Sequence, residues 1–339
     1  MIGLLEELCM KDGISGDESA VREFIIEKVK DVCEYRIDNL GSLICFVKGK
    51  KTPEKRLMIA AHMDEVGFIV TAIRPDGTLS FDMVGGVDPS VAIGRQVRVG
   101  KKRISGVIGS VAVHNLSKEQ REKPPVFSGL SIDIGAEDKK DAEKYVSPGD
   151  CVYFDHEFTR LGEHRIRSKA IDDRAGCAMM IRLMHREHEY DTYYVFNVQE
   201  EIGLRGSGAS AFSVEPDFAI VLEATTAADI DGVSGEKKVC CLGGGAVVSF
   251  MDRRTIYDKE LYSLAFDTAS QLSLPCQTKT MVAGGNDAGA IHISRGGVRT
   301  IAVSIPCRYL HSAASVADTE DIENTYRLVE KLSERIFDI

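Results

Sequence analysis

Tryptophan is absent from the 339 residues, and phenylalanine and tyrosine raise the aromatic share to only 7%. A site that grips sugar rings on aromatic platforms has little to build with here, which weighs against a glycoside hydrolase. The nine cysteines contain no CxxC pair, and the adjacent Cys240 and Cys241 are poorly placed to bridge each other, so no disulfide framework is expected. Basic residues are outnumbered, 42 Lys and Arg against 52 Asp and Glu, for a net charge of -10. No basic run offers a nucleic-acid footprint. Nowhere do about 18 apolar residues follow one another, so no transmembrane helix is expected. Glu6 and Glu7 interrupt the first apolar stretch and spoil a signal sequence. Reduced thiols and these absences predict a cytoplasmic protein. HExxH, GxSxG, Walker and GxGxxG motifs are missing as well.

What is present is a 44% hydrophobic chain long enough for one large domain or two. After "SGDES", with Ser15 or Asp17 as N-cap, apolar residues at Val21, Phe24, Ile25, Val29 and Val32 keep helical period. Strands are expected near Ser42 to Val47 and Arg56 to Ala61. From about Val66 to Glu163 the texture changes to short β-like runs broken by turn signals such as "RPDGT", "VGGVDP" and "VSPGD", with only "AEDKKDAEKY" helical. From Ala170 the alternation returns: a helix near Arg174 to His188, strands near Thr192 to Val198 and Phe218 to Leu222, and a closing helix near Ile322 to Ile336. The pattern predicts an α/β domain, residues 1–65 and 164–339, interrupted by a β-rich insertion at 66–163.

Polar clusters sit where the apolar runs stop. They are "AAHMDEVGF" with His62 and Asp64, "KAIDDRAG" with Asp172 and Asp173, "NVQEEIGLRGSG" with Glu200 and Glu201, "VLEATTAADI" with Glu223, and the isolated His311 after "CRYL". In open α/β sheets the carboxyl ends of strands share one edge, so groups far apart in sequence converge there. Histidine with carboxylates and no thiolates is ligand chemistry for zinc, cobalt or manganese. Each cluster also has a plainer reading. His62 alone fits a satisfied buried histidine, Asp172 and Asp173 fit a helix start, where acids favour the dipole, and Glu200 and Glu201 fit a wet strand end. Acids closing the buried runs "YYVFNV" and "FAIVL" nevertheless need partners. All five features together at such positions favour a metal site. The "GLRGSG" and "LGGGAV" glycines read as turns, His185 and His188 as a wet helix end, and the cysteines as core residues.

The motifs "AHMDEVGF", "KAIDDRAG", "VQEEIGLRGS", "AGGNDAGAI" and "SIPCRYLHS", in this order, resemble the glutamyl-aminopeptidase-like metallopeptidases of peptidase family forty-two. Members of that family assemble into tetrahedral particles and are sometimes labelled endoglucanases. The resemblance runs from about Glu18 to the C-terminus and includes the β insertion. It implies a mixed-sheet, zinc-peptidase-like catalytic domain with a PDZ-like or barrel-like insertion for dimerisation and assembly. It further implies two divalent ions about 3.5 Å apart, zinc or cobalt, with manganese possible. Asp172 would bridge them, His62 and Glu223 would complete one site, and Glu201 and His311 the other. Asp64 would hold the first histidine and Glu200 would be the general base. Two departures stand out: Glu223 occupies a position where many relatives carry Asp, and "HSAAS" replaces "HSP" after His311.

The expected protein is therefore a dinuclear metal-dependent aminopeptidase acting on peptides, a homo-oligomer (a dodecamer by resemblance) with no nucleic-acid or membrane partner. A glycoside hydrolase and a catalytically silent metal-binding assembly protein are the alternatives. Arg253 and Arg254 could meet an acidic substrate side chain or serve as surface charges.

Overall fold

The computed structural model describes residues 1–339, the side chain of Gln120 excepted. Its main sheet has eleven strands. Nine follow one path: Glu34–Ile37, Leu43–Val47, Thr192–Asn197, Leu57–His62, Phe218–Thr226, Arg299–Arg308, Ser315–Asp318, Arg165–Ser168 and Thr159–Leu161. Ala246–Val248 and Cys276–Thr278 form a branch beside Arg299–Arg308. The four strands from Thr192–Asn197 to Arg299–Arg308 are parallel and the outer pairs of the path antiparallel, so the sheet is mixed. Leu57–His62 is buried at every residue, as expected of an unbroken apolar strand covered on both faces.

The helix Ile171–Met184 packs across Leu57–His62 and Phe218–Thr226, with nearly all of its side chains buried. It starts and ends a few residues earlier than the sequence suggests. The closing helix, Thr319–Arg335, begins at Asp318, whose side chain accepts from the Glu320 amide, and it buries Ile322, Tyr326, Val329 and Leu332 along one stripe. The helix after "SGDES" starts at Ser19 with Glu18 in the cap position, not Ser15 or Asp17. Both of those side chains are engaged elsewhere: Ser15 donates to Asp64, and Asp17 accepts from Tyr153.

The insertion is a closed antiparallel barrel of six strands, ordered Gly67–Ile73, Leu79–Val84, Leu130–Asp133, Ile104–Ser110, Gln96–Val99 and Cys151–Phe154. A barrel this small is filled by side chains, and here Phe68 stacks edge-on against Phe81 and Phe154, each at 5.2 Å between centroids. Its core is separate from that of the main sheet. Two further short helices, Pro89–Ala92 and Lys118–Glu122, join the expected one, found at Lys139–Ala142. The first had a readable signal, Asp88 capping with Pro89 in the first helical turn. Thr159–Leu161 pairs with Arg165–Ser168 at the edge of the main sheet rather than with the barrel.

Candidate metal centre

The central strands deliver their following residues to one edge. His62 closes its strand and sits in register with Asn197, three residues before Glu200. His311 follows Arg299–Arg308 after a short turn, and Asp172 and Asp173, joined by a cis peptide, open the helix Ile171–Met184. Glu223 differs from expectation. Its strand continues to Thr226, so it lies inside the strand, opposite Ser304, and not at its end.

Asp172 stands between the two imidazoles. Its Oδ1 is 3.4 Å from Nε2 of His62, and its Oδ2 is 3.6 Å from Nε2 of His311. Glu223 Oε1 lies 3.2 Å from His62 Nε2, and Glu201 Oε2 lies 3.4 Å from His311 Nε2. Two donors bonded to one zinc-sized ion at about 2.1 Å in a tetrahedral arrangement are roughly 3.4 Å apart, so this spacing fits shared cations. The donor atoms of His62, Asp172 and Glu201 lie within 4.8 Å of one another, as do those of Asp172, Asp173 and Glu223. Asp172 Oδ1, Asp173 Oδ2 and Glu223 Oε2 are buried without a hydrogen-bond partner. Buried anionic oxygens need compensation, and a divalent cation would supply it. Asp173 is the donor that sequence reasoning did not count as a ligand. Its other oxygen accepts from the Gly176 amide.

Asp64 sits beside His62 but holds it differently from expectation. Nδ1 of His62 is 2.9 Å from the Asp64 backbone oxygen, whereas the carboxylate is 3.6 Å away, beyond hydrogen-bond length. The carboxylate instead accepts from Ser15 Oγ at 2.6 Å, from the Glu200 amide at 3.0 Å and from the Glu201 amide at 3.1 Å. It therefore fixes the backbone that carries both glutamates.

Electrostatics follow from packing so many charges out of water. Burial disfavours a charged His62, but Glu223, Asp172 and Asp64 more than offset it and hold the imidazole pKa well above its usual range. The same opposition, burial against Asp172 and Glu201, raises His311 to about 10. Burial pushes Glu201 up to about 7, with Asp172 adding to the rise and His311 opposing it. Glu200 and Glu223 are raised well above the carboxylate range, again chiefly by burial. Asp172 goes the other way, held far below that range because the two imidazoles outweigh its burial, and Asp64 is lowered too, its burial outweighed by His62, Ser15 and the Glu200 amide.

Behind this edge lies a second buried charge group that the sequence did not reveal. Lys169 Nζ lies 2.5 Å from Glu65 and donates to Lys11 O. Arg174 donates to the carbonyls of Met63, Leu8 and Gly13 and faces Glu65 at 3.6 Å. Glu65 and Lys169 flank "HMD" and "AIDD", so adjacency to the motifs was the available signal. Asp287, from "AGGNDAGAI", is also buried, bound to Asn197 Nδ2 at 2.8 Å, and its charge contributes to the raised Glu200. Arg253 and Arg254 are exposed, and their guanidinium groups meet no acidic partner among the described residues. The stem of Arg254 lies against Gly285 and Gly289.

A mixed sheet with an inserted barrel, carrying imidazoles and carboxylates at its strand ends, is the build of a metallopeptidase. The chain belongs to the M42 glutamyl aminopeptidase family, whose model matches residues 41–328. It is 40% identical over 332 residues to a protein of Acetivibrio thermocellus, covering 97% of each. It is 34% identical to the lysyl aminopeptidase of Pyrococcus furiosus, over 98% of this chain and 96% of the other. Among solved structures, the TET aminopeptidase of Thaumarchaeota archaeon SCGC AB-539-E09 superposes with a TM-score of 0.95 at 34% identity, over 99% and 96% of the two chains. Pyrococcus horikoshii TET1 peptidase, which can assemble into a tetrahedron or a large octahedral shell, gives 0.86 at 32%, over 98% of each. A Thermotoga maritima structure named as an endoglucanase gives 0.81 at 37%, over 98% of each. The protein is an aminopeptidase of this family.

Proposed function

We propose that this aminopeptidase removes N-terminal residues from peptides with two divalent cations per chain, zinc or cobalt, with manganese also compatible with the donor set. His62, Asp172 and Glu223 would hold one cation, and His311, Asp172 and Glu201 the other. The observation that carries the reading is Asp172, whose two oxygens turn to different imidazoles. Held there, the cations supply Lewis acidity that acidifies water and polarises the scissile carbonyl.

The chain's own part in proton transfer falls to Glu200. Its carboxylate makes no hydrogen bond or ion pair among the described residues, while its amide is held by Asp64. Cations bound beside it would bring its raised pKa back toward the carboxylate range and leave it able to take a proton from the attacking water and pass it to the departing amine. Asp64 and Ser15 keep that carboxylate in place through the backbone.

The test is metal analysis together with hydrolysis of free peptides, N-acetylated peptides and cellulose oligomers. Two ions per chain, loss of activity with a chelator and selectivity for free N-termini are expected. Asp172→Asn should lower occupancy of both sites. Full occupancy with intact activity in that variant would sink the assignment. Relatives that form dodecamers and the separate barrel support assembly into a homo-oligomer through the insertion, which light scattering on the intact protein tests directly.

A further inference from the structure

The loop that presents His311 is built on the barrel. Between the strands Arg299–Arg308 and Ser315–Asp318 the chain passes through Tyr309 at φ 58° and His311 at φ 56°. Non-glycine residues keep this left-handed conformation only where their surroundings hold them. Ser312 and Ser315 donate to the Tyr309 carbonyl at 2.7 and 3.1 Å and close the turn locally. Leu310 packs against the main-sheet core, and further restraints come from the insertion. Ala313 is only 6% exposed and belongs to the barrel's apolar core, with Val66, Val87 and Phe154. Nδ1 of His311 lies 2.9 Å from the carbonyl oxygen of Gly86, just past the barrel strand Leu79–Val84.

That carbonyl has a chemical consequence. A carbonyl oxygen only accepts, so Nδ1 must carry the hydrogen, and in the neutral ring the lone pair then lies on Nε2, the nitrogen facing Asp172 and Glu201. The neighbouring Gly85, at φ 85°, brings the turn against the other donor. A β-carbon there would meet Val66 Cγ1 at 2.7 Å and Glu201 Cβ at 3.2 Å. His62 has no such dependence, because its Nδ1 is satisfied by Asp64 O at the end of its own strand.

We propose that the Gly85–Gly86 turn of the barrel is a positioning element of the metal centre. It holds His311 in the ligating tautomer and backs Glu201, so the insertion supports one half of the centre and not the half made by His62 and Glu223. The proposal rests on the metal-centre reading above.

Gly86 does not occupy the left-handed region, and a β-carbon there would lie 3.4 Å from His311 Nδ1. The β-carbon of Gly86→Ala would only reach ordinary van der Waals contact with the ring, whereas the branched side chain of Gly86→Val extends past that contact and presses on the imidazole. Ile108→Val trims the barrel core without belonging to the His311 loop. Each chelator-stripped protein is titrated with Zn²⁺ by equilibrium dialysis and elemental analysis, with circular dichroism as the folding control. Gly86→Val should weaken one of two ions by about tenfold or more, the scale of a lost outer-shell partner. The other ion should stay near its original affinity, Gly86→Ala should fall between, and Ile108→Val should bind both ions normally. If Gly86→Val does not fold, Gly86→Leu, which reaches past the same contact without β-branching, carries the same comparison. Two ions bound with unchanged affinity in the Gly86 variants, or equal weakening of both, would overturn the proposal and leave the metal-centre reading standing. A parent protein that binds no Zn²⁺ would remove both.

Discussion

Glu200 and Glu201 share a peptide bond, and the Asp64 carboxylate holds both of their N–H groups, yet only Glu201 points its carboxylate at an imidazole. Substitutions that keep size and polarity should separate them. Glu200→Gln cannot accept a proton, so metal content should stay near normal while kcat falls roughly 10²-fold or more. Glu201→Gln should instead weaken or lose an ion. If Glu200→Gln loses the ion and Glu201→Gln keeps both, the roles are reversed. The charges of the centre give a second residue-scale expectation. His62 is held protonated well above the usual range, His311 to about 10 and Glu201 to about 7. These protons must leave when cations enter, so affinity should rise with pH, by about tenfold per unit for each proton released. Zn²⁺ dissociation constants that are equal at pH 6 and pH 8 would contradict this.

At the scale of elements, the helix Ile171–Met184 carries Asp172 and must be fixed against the strand that carries His62. Arg174 does this from within, donating to Met63 O at 2.7 Å and Leu8 O at 2.6 Å while fully buried. The N-terminal helix Ile2–Cys9, the end of the central strand and the helix Ile171–Met184 thus meet on one guanidinium. Arg174→Met takes the guanidinium donor from Met63 O, Leu8 O and Gly13 O, while Glu65 keeps Lys169, so a loss of about 1–3 kcal/mol is expected in denaturant unfolding. An exposed control such as Arg121→Met should change stability by under about 0.5 kcal/mol. A small effect at Arg174 would show that the junction is held by packing alone.

For the whole molecule, the question is what the barrel is for. A closed barrel has no free sheet edge, so it does not offer ready strand-to-strand pairing, and assembly through it would use its outer side chains and loops. Removing residues 67–154 should abolish the native oligomer in light scattering. The deletion should also remove metal binding at the His311 half, because Ala313 and Gly86 tie that loop to the barrel. An oligomer that survives the deletion would refute the assembly role.

Much of this architecture was written locally. The unbroken apolar run at Leu57–Ala61 determines a covered strand, the alternation of apolar runs with helical period determines an α/β sheet, and turn residues mark the β insertion, because periodicity and turn chemistry act between near neighbours. The acids and histidines near the ends of those runs marked the candidate site for a related reason: the central strands carry such residues toward one sheet edge, although Glu223 lies inside its strand. Only the tertiary structure decided that Asp172 faces two imidazoles and that the Asp64 carboxylate bonds Ser15 and two amides while meeting His62 only as a neighbouring charge. The same holds for the burial of Asp173 without a second partner. His311 and Gly86 are 225 residues apart. No local pattern encodes such a contact, since it exists only once two separately packed cores have met.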